Sequence, residues 1–222
     1  MNSHLQKIKS FGFDPKVTLD IGAYVGNWSR MIKSIFPSTR IHAFEAQPAL
    51  EPHMVKLKND YGGTVDYTIS LIGSENKKNV PFFNLVTADG STGSSIYSEN
   101  TKYQKTVSNL DMQTVDSILT EKRIGETVDL IKIDVQGAEI DVLKGATKAL
   151  STAKVVICEL SLVEYNKGAP LISDVMTFMA ERGFVLYDIV EFHKANRDTL
   201  IQIDGMFVLK DSPWREPSFW NK

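Results

Sequence analysis

The sequence predicts an α/β protein with a doubly wound, mostly parallel β-sheet, and three features support this fold class. Short apolar runs alternate with helical segments in the order β-α-β-α-β over the first third of the chain, which is typical of parallel sheets. A glycine turn joins the first strand to the next helix. Near the end, 184–192 and 200–209 leave no room for a helix between them, so they predict an antiparallel hairpin.

The elements of the first half of the chain are predicted from the spacing of apolar residues and from the positions of glycine and proline. Apolar residues near helical spacing predict a leading helix, and Pro48 suits a helix start because its missing N–H costs nothing there. Gly62 and Gly63 end that helix. The expected segments are a helix over 4–13, a strand over 17–21, a helix over 28–35, a strand over 40–45, a helix over 48–60 and a strand over 64–71.

The second half contains a long irregular stretch before the pattern resumes. A strand is expected over 80–85, and a possible lid or insertion covers 85–109, with a surface excursion as the alternative. The remaining expected segments are a short helix from 115, a strand over 130–133, a helix over 140–146, a strand over 155–160 and a helix over 170–182. The tail 212–222 carries two tryptophans and either docks on the body or frays.

Length and composition indicate an ordinary globular protein. The 222 residues suffice for one domain over 1–222, and the net charge of −2 gives no electrostatic case for a nucleic-acid partner. No run reaches the roughly 18–20 apolar residues of a membrane span, and the polar N-terminus lacks a signal-peptide core. Cys158, in an apolar run, is expected to be buried. We therefore expect a cytoplasmic protein with no membrane partner, and the oligomeric state stays open.

The turn after the first strand indicates a cofactor site. Its spacing is G-x-x-x-G, from Gly22 to Gly26, and Asp20 stands two residues before the first glycine. A carboxylate there would repel a diphosphate and attract a sulfonium cation that carries an α-amino group. The alternative is that Asp20 caps the following helix.

Carboxylates at the ends of later strands are further candidates. Glu45 ends the second strand 19 residues after Gly26, the distance at which an acidic residue takes ribose hydroxyls in nucleotide folds. Asp134 and Glu159 end two strands predicted to be neighbours, so they could converge as a base and a substrate acceptor or, if a metal takes part, bind Mg²⁺. Glu139 is a third catalytic candidate, with capping of its own helix as the alternative.

Three segments resemble the signature segments of FkbM-type methyltransferases, which are class I enzymes that use S-adenosylmethionine. They are 20–26 (DIGAYVG), 44–48 (FEAQP) and 131–145 (IKIDVQGAEIDVLKG). The resemblance implies a Rossmann-like seven-stranded sheet, mostly parallel with the last strand antiparallel, and methyl transfer to oxygen on a sugar or natural product. It implies that the turn holds the methionine portion of the cofactor through Asp20, Gly22, Ala23, Tyr24 and Gly26. The ribose would meet Glu45 and Ala46, the adenine would lie between Ser70 and Leu71, and Asp134 would lie beside the reacting methyl.

Two other classes of function remain as alternatives. A nicotinamide-dependent oxidoreductase shares the strand, the turn and Glu45, but the G-x-x-x-G spacing and Asp20 argue against it. A non-catalytic partner subunit with a cofactor fold would be expected to lack acceptor-side carboxylates, and those are present. The leading hypothesis is an O-methyltransferase for a small-molecule or carbohydrate acceptor.

Overall fold

A seven-stranded sheet forms the centre of the molecule. The computed structural model describes residues 1–85, 93–100, 104–125 and 127–215. Its strands in chain order are β1 Val17–Ile21, β2 Arg40–Glu45, β3 Val65–Ile69, β4 Leu71–Ile72, β5 Lys77–Leu85, β6 Lys105–Gln113, β7 Leu130–Ile133, β8 Val155–Ser161, β9 Phe184–Lys194 and β10 Leu200–Leu209. The main sheet has the order β3-β2-β1-β7-β8-β10-β9. The strand order reverses between β1 and β7, where α/β sheets place their ligands.

The pairing confirms the predicted fold class. β1, β2, β3, β7 and β8 run parallel to one another, and β10 is antiparallel to both β8 and β9. The last strand in the chain is therefore the antiparallel one, and β9 with β10 forms the predicted hairpin.

Helices cover both faces of this sheet. They are α1 Asn2–Ser10, α2 Asn27–Ile35, α3 Glu51–Tyr61, α4 Val115–Lys122, α5 Glu139–Lys144, α6 Thr147–Thr152 and α7 Ile172–Ala180. α1 to α3 share one apolar core with the sheet, and α4 to α7 share the other. No helix in the described ranges is both long and apolar enough to cross a bilayer.

A small second sheet, in the order β4-β6-β5, is a finding that the sequence did not predict. The strand expected over 64–71 ends at Ile69, because the backbone N–H of Ser70 turns to the carbonyl of Glu45 and Leu71 pairs with Met112 of β6. Most side chains of β6 are polar or partly exposed, so β6 lacks the apolar pattern of a buried strand. Parts of the possible lid (86–92 and 101–103) and most of the tail (216–222) lie outside the described residues.

Candidate active site

A pocket opens at the carboxyl ends of β1, β2 and β7, beside the point where the strand order reverses. Its volume is about 830 Å³ when the open solvent at the mouth is included. The lining residues come from the ends of these strands, from the start of the small sheet and from 94–96. They are Ile21, Gly22, Tyr24, Phe44, Glu45, Ala46, Gln47, Ser70, Leu71, Ile72, Phe82, Ser94, Ser95, Ile96, Asp134, Val135, Gln136 and Ala138.

The carboxylate of Glu45 is fixed by backbone donors. Its Oε2 accepts the N–H of Tyr24 at 2.7 Å, and its Oε1 accepts the N–H of Gln47 at 2.9 Å. Burial raises the pKa of Glu45, and the N–H groups of Gln47 and Tyr24 counteract part of that effect. The side chain is thus held rigidly at the pocket wall with lone pairs left to accept further hydrogen bonds.

One side of the pocket is apolar. Leu71 and Phe82 form a small core beneath it, and Ala46 and Ile96 pack against that core. Ser95 closes this wall: its backbone pairs with Phe83, and its Oγ donates to the carbonyl of Val135 at 3.3 Å. This wall therefore offers an apolar surface beside Glu45.

The opposite side of the pocket is built from tight backbone turns. Gly22 has φ +80°, and a Cβ there would lie 1.9 Å from the backbone oxygen of Asp134, so the loops after β1 and β7 touch at this point. Tyr24 and Gln136 have φ +52° and +56° although they are not glycines. Such backbone strain at loop ends is common at ligand sites.

Lys132 forms the centre of an ionic row beneath the pocket. Its Nζ lies 3.1 Å from Asp134 Oδ2 and 3.8 Å from Asp20 Oδ1, and it donates to the carbonyl of Gly22 at 3.3 Å. Burial favours neutral Lys132, but Asp134 and Asp20 outweigh it and raise the lysine's pKa. A lysine inside a strand flanked by isoleucines signals such a partner, because buried charges are paired. Lys132 was not among the residues predicted for the site.

Asp20 is fully buried and does not line the pocket. Its Oδ2 accepts the hydroxyl of Ser29 at 2.6 Å, while no described group donates to Oδ1. Burial raises the pKa of Asp20, and Lys132 and Ser29 oppose that shift. Helix α2 is instead capped by the left-handed Gly26.

Asp134 faces the pocket as an anion. Its side chain is 38% exposed, and Lys132 and Gln136 hold its pKa below the usual value although burial acts in the opposite direction. The amide nitrogen of Gln136 donates to Asp134 Oδ1 and to Glu159 Oε2, at 2.9 Å each. Asp134 and Glu159 therefore converge, but an amide group joins them, and Mg²⁺ between the two carboxylates would first require Gln136 to move.

Glu139 is buried at the start of α5. Its Oε1 accepts the N–H groups of Val135 and Gly137 at 3.2 Å each, so it closes the turn that leads into its own helix. Burial raises the pKa of Glu139 to about 7, and the charge of Asp134 adds to the shift.

Glu139→Gln is expected to flatten the pH dependence of stability. Because the pKa of Glu139 is raised in the folded protein from 4.5 to about 7, its contribution to stability is full below about pH 4.5 and is lost as the pH rises through 7. Glutamine keeps an acceptor oxygen and does not ionise. Urea unfolding between about pH 5 and 8 should show a smaller loss of unfolding free energy in the variant than in the wild type. An equal or larger loss would contradict this assignment.

The structure brings most of the sequence-predicted cofactor residues to one pocket. Gly22, Tyr24, Glu45, Ala46, Ser70, Leu71 and Asp134 all line it. Ala23 packs in the core under α1 to α3, and Gly26 lies against Leu57. Gln136, Phe82 and Ser95 line the pocket but were not predicted from the sequence. Gln136 stands inside the quoted 131–145 segment, whereas Phe82 and Ser95 reach the pocket through the unpredicted small sheet.

Comparisons with known proteins agree with this geometry. A family model described as the methyltransferase FkbM domain matches residues 20–186. No curated protein matches the sequence at a significant level.

Solved structures that resemble the chain share its fold at low sequence identity. A methyltransferase FkbM from Methylobacillus flagellatus is 14% identical with a TM-score of 0.52, over 86% of this chain and 43% of that one. The O-methyltransferase TomG from Streptomyces achromogenes, in complex with SAM, is 11% identical with a TM-score of 0.53, over 94% and 78%. TrmK of M. capricolum, in complex with S-adenosylhomocysteine, is 8% identical with a TM-score of 0.54, over 95% and 68%.

Proposed function

Because the chain belongs to the FkbM methyltransferase family, we propose that it transfers the methyl group of S-adenosylmethionine to a hydroxyl oxygen of a sugar, glycan or small natural product. One observation carries the choice of cofactor. Among the described residues that line the pocket, the charged ones are two carboxylates, Glu45 and Asp134, and none is basic. Such a lining favours a sulfonium and an ammonium group over a diphosphate, which would need N–H or cationic donors.

We infer which residues of the pocket would hold each part of this cofactor. Glu45 would accept the two ribose hydroxyls, and the apolar wall with Leu71 and Phe82 would take the adenine. The turn at Gly22 and Tyr24 would hold the methionine portion, with Asp20 and Lys132 fixing that turn from below. S-adenosylmethionine supplies an electrophilic methyl group on a positively charged sulfur.

The methyl transfer also requires side chains that position the acceptor hydroxyl and remove its proton. Asp134, kept anionic by Lys132, would orient the acceptor hydroxyl, and such positioning contributes a large share of the rate in displacement reactions. An alcohol must also lose its proton, so a base is needed. Glu159 lies next to Asp134, and burial together with the charge of Asp134 raises the pKa of Glu159 well above its usual value. Two carboxylates, Asp134 and Glu159, thus lie close together where the acceptor would bind, which supports a hydroxyl acceptor.

Calorimetric titration with S-adenosylhomocysteine, with NADH as the control, tests the cofactor. Micromolar binding of the first alone is expected, and binding of NADH alone would favour an oxidoreductase. A mass-spectrometric screen for methylated products should then include sugar hydroxyls, small natural products and tRNA. Two proteins that share the fold, one from Pyrococcus horikoshii and one from Streptococcus pneumoniae, are named for methylation of RNA and of tRNA (m1A22). Methylation of tRNA alone would overturn the proposed acceptor class.

Glu45→Gln is expected to weaken S-adenosylhomocysteine binding about 10- to 100-fold. Hydrogen bonds to a charged acceptor contribute roughly 1.5–3 kcal/mol, and the amide retains only one acceptor oxygen. The same titration measures the effect. Glu51→Gln, on the outer surface at the start of α3, is the matched control and should leave affinity unchanged. Equal affinity in wild type and Glu45→Gln would remove the ribose role.

A further inference from the structure

Three side chains that can bind a metal meet next to Gln136, which donates to both Glu159 and the pocket residue Asp134. Glu159 comes from β8, His193 from β9 and Asp204 from β10. One ligand atom from each residue lies within 4.8 Å of the other two. Because these residues come from three strands of the main sheet, their backbones are fixed by the hydrogen bonds between strands. The distances between the ligand atoms can therefore change by side-chain rotation alone.

Strand pairing places two acids directly opposite each other. Asp204 pairs with Glu159 across the antiparallel β8–β10 ladder, and His193 pairs with Gln202, two residues from Asp204. Like charges at directly opposed positions destabilise a sheet. Lys132, the neighbouring cation, is already engaged with Asp134 and Asp20. Among the described residues, the ion pair that involves either acid is the one between His193 Nε2 and Asp204 Oδ1, at 3.4 Å.

One nitrogen of the cluster has no hydrogen-bond partner within the described part of the chain. Nε2 of His193 is buried and lies 3.4 Å from Asp204 Oδ1, yet it makes no hydrogen bond to any described residue. Glu159 is 7% exposed. Its Oε2 accepts from Gln136, and no donor among the described residues contacts its other oxygen. A buried, orphaned imidazole nitrogen next to two carboxylates calls for an additional group between them.

The geometry points to a divalent transition-metal site formed by Glu159, His193 and Asp204. Imidazole and carboxylate ligands bond such ions at about 2.0–2.2 Å, so ligand atoms on opposite sides of an ion lie about 4.2 Å apart. In a tetrahedral site the same bond lengths place ligand atoms about 3.4 Å apart, so side chains whose ligand atoms lie within 4.8 Å of one another would draw together by up to about 1 Å to hold an ion. One imidazole with two carboxylates suits Zn²⁺ or Mn²⁺ better than Mg²⁺ or Ca²⁺, which prefer oxygen ligands throughout.

This inference rests on the proposed function and assigns the acceptor side of the same site. Three protein ligands leave positions open for a substrate oxygen. An acceptor hydroxyl bound there would become more acidic, and its proton would leave to water while both electrons of the O–H bond stay on oxygen. The ion would thus take over the deprotonation that an alcohol needs, and Asp134 would be left to position the acceptor.

Calorimetric titration of the metal-free protein with Zn²⁺, repeated with Mg²⁺, tests the site without any turnover. Co²⁺, followed by its visible absorption, reports the ligand set. We expect one Zn²⁺ per chain, Mg²⁺ binding at least 100-fold weaker, and a loss of Zn²⁺ affinity of at least tenfold in both His193→Ala and Asp204→Asn. His53→Ala is the matched control, because His53 is exposed on α3, and it should bind Zn²⁺ as the wild type does.

S-adenosylhomocysteine binding by each variant shows that it is folded and separates the two proposals. Wild-type protein that binds S-adenosylhomocysteine but no Zn²⁺ up to millimolar concentrations would overturn the metal site and leave the function standing. Unchanged Zn²⁺ affinity in both cluster variants would also overturn it. Zn²⁺ binding that depends on the cluster, without S-adenosylhomocysteine binding, would support the metal site and remove the proposed function instead.

Discussion

Gly22→Ala is expected to abolish cofactor binding and to lower the free energy of unfolding by more than about 4 kcal/mol. Two costs add at this position. Alanine is strained at φ +80°, and its Cβ would lie 1.9 Å from the backbone oxygen of Asp134. That oxygen cannot move aside easily, because the N–H of Asp134 is bonded to the carbonyl of Ile21 at 3.0 Å. The loops after β1 and β7 must therefore separate, and both line the pocket.

Gly63→Ala is the control for Gly22→Ala. Gly63 also has a positive φ, +69°, but nothing lies within 4 Å of a Cβ placed there. Gly63→Ala should lower the free energy of unfolding only by the cost of the backbone strain, about 1–2 kcal/mol. Urea unfolding and S-adenosylhomocysteine titration measure both variants. Similar losses at the two glycines would mean that the contact between the two loops does not constrain the site.

Asp134→Asn is expected to lower turnover about 10²- to 10³-fold while cofactor affinity changes only a few-fold. The amide has nearly the shape of the carboxylate but only one acceptor oxygen, so it can keep the contact with Lys132 or the one with Gln136, not both. What is lost is the negative charge that faces the pocket, together with its ion pair to Lys132. Lys132 keeps Asp20 and the carbonyl of Gly22, which limits the loss of folding stability.

Single-turnover kinetics and S-adenosylhomocysteine titration separate the two effects of Asp134→Asn. Asp66→Asn makes the same chemical change at an exposed ion pair with Lys58 and should not alter turnover. A variant that loses cofactor affinity as strongly as turnover would assign Asp134 to the cofactor instead of the reaction.

The elements that the sequence predicted are those with one clear pattern. Strands such as β1, β2 and β8 are short runs of apolar and β-branched residues buried on both faces, and each begins within a residue of its predicted start. The second strand of the hairpin was predicted because the segment between 184–192 and 200–209 is too short to hold a helix. The resemblance to FkbM methyltransferases rested on three short segments and is confirmed by the family match over 20–186.

The missed elements owe their form to tertiary contacts. β6 carries polar and half-exposed side chains and is a strand because β4 and β5 pair with it. Six-residue α6 is too short for a periodic signal. The pocket wall at Ser95 depends on the same pairing, so no local pattern could place it.

The cluster of Glu159, His193 and Asp204 could not be predicted from the sequence for the same reason. His193 follows a strand next to Lys194 and Arg197, which by sequence alone favours a surface residue. Its position beside Asp204 arises from the register of the β9–β10 hairpin, and a shift of one residue would turn the ring to the other face. Register is set by the whole sheet, so the Glu159–His193–Asp204 cluster emerges only from the folded chain.

The single cysteine of the chain lies in the middle of the sheet. Cys158 pairs with Ile133 and Gly205 on neighbouring strands, is fully buried, and burial raises the pKa of its thiol well above the usual value. A thiol reagent can reach it only when β8 separates from its neighbours. The rate at which Cys158 is alkylated therefore reports how fast the central strands open, one residue from Glu159. No reporter residue has to be introduced into the chain.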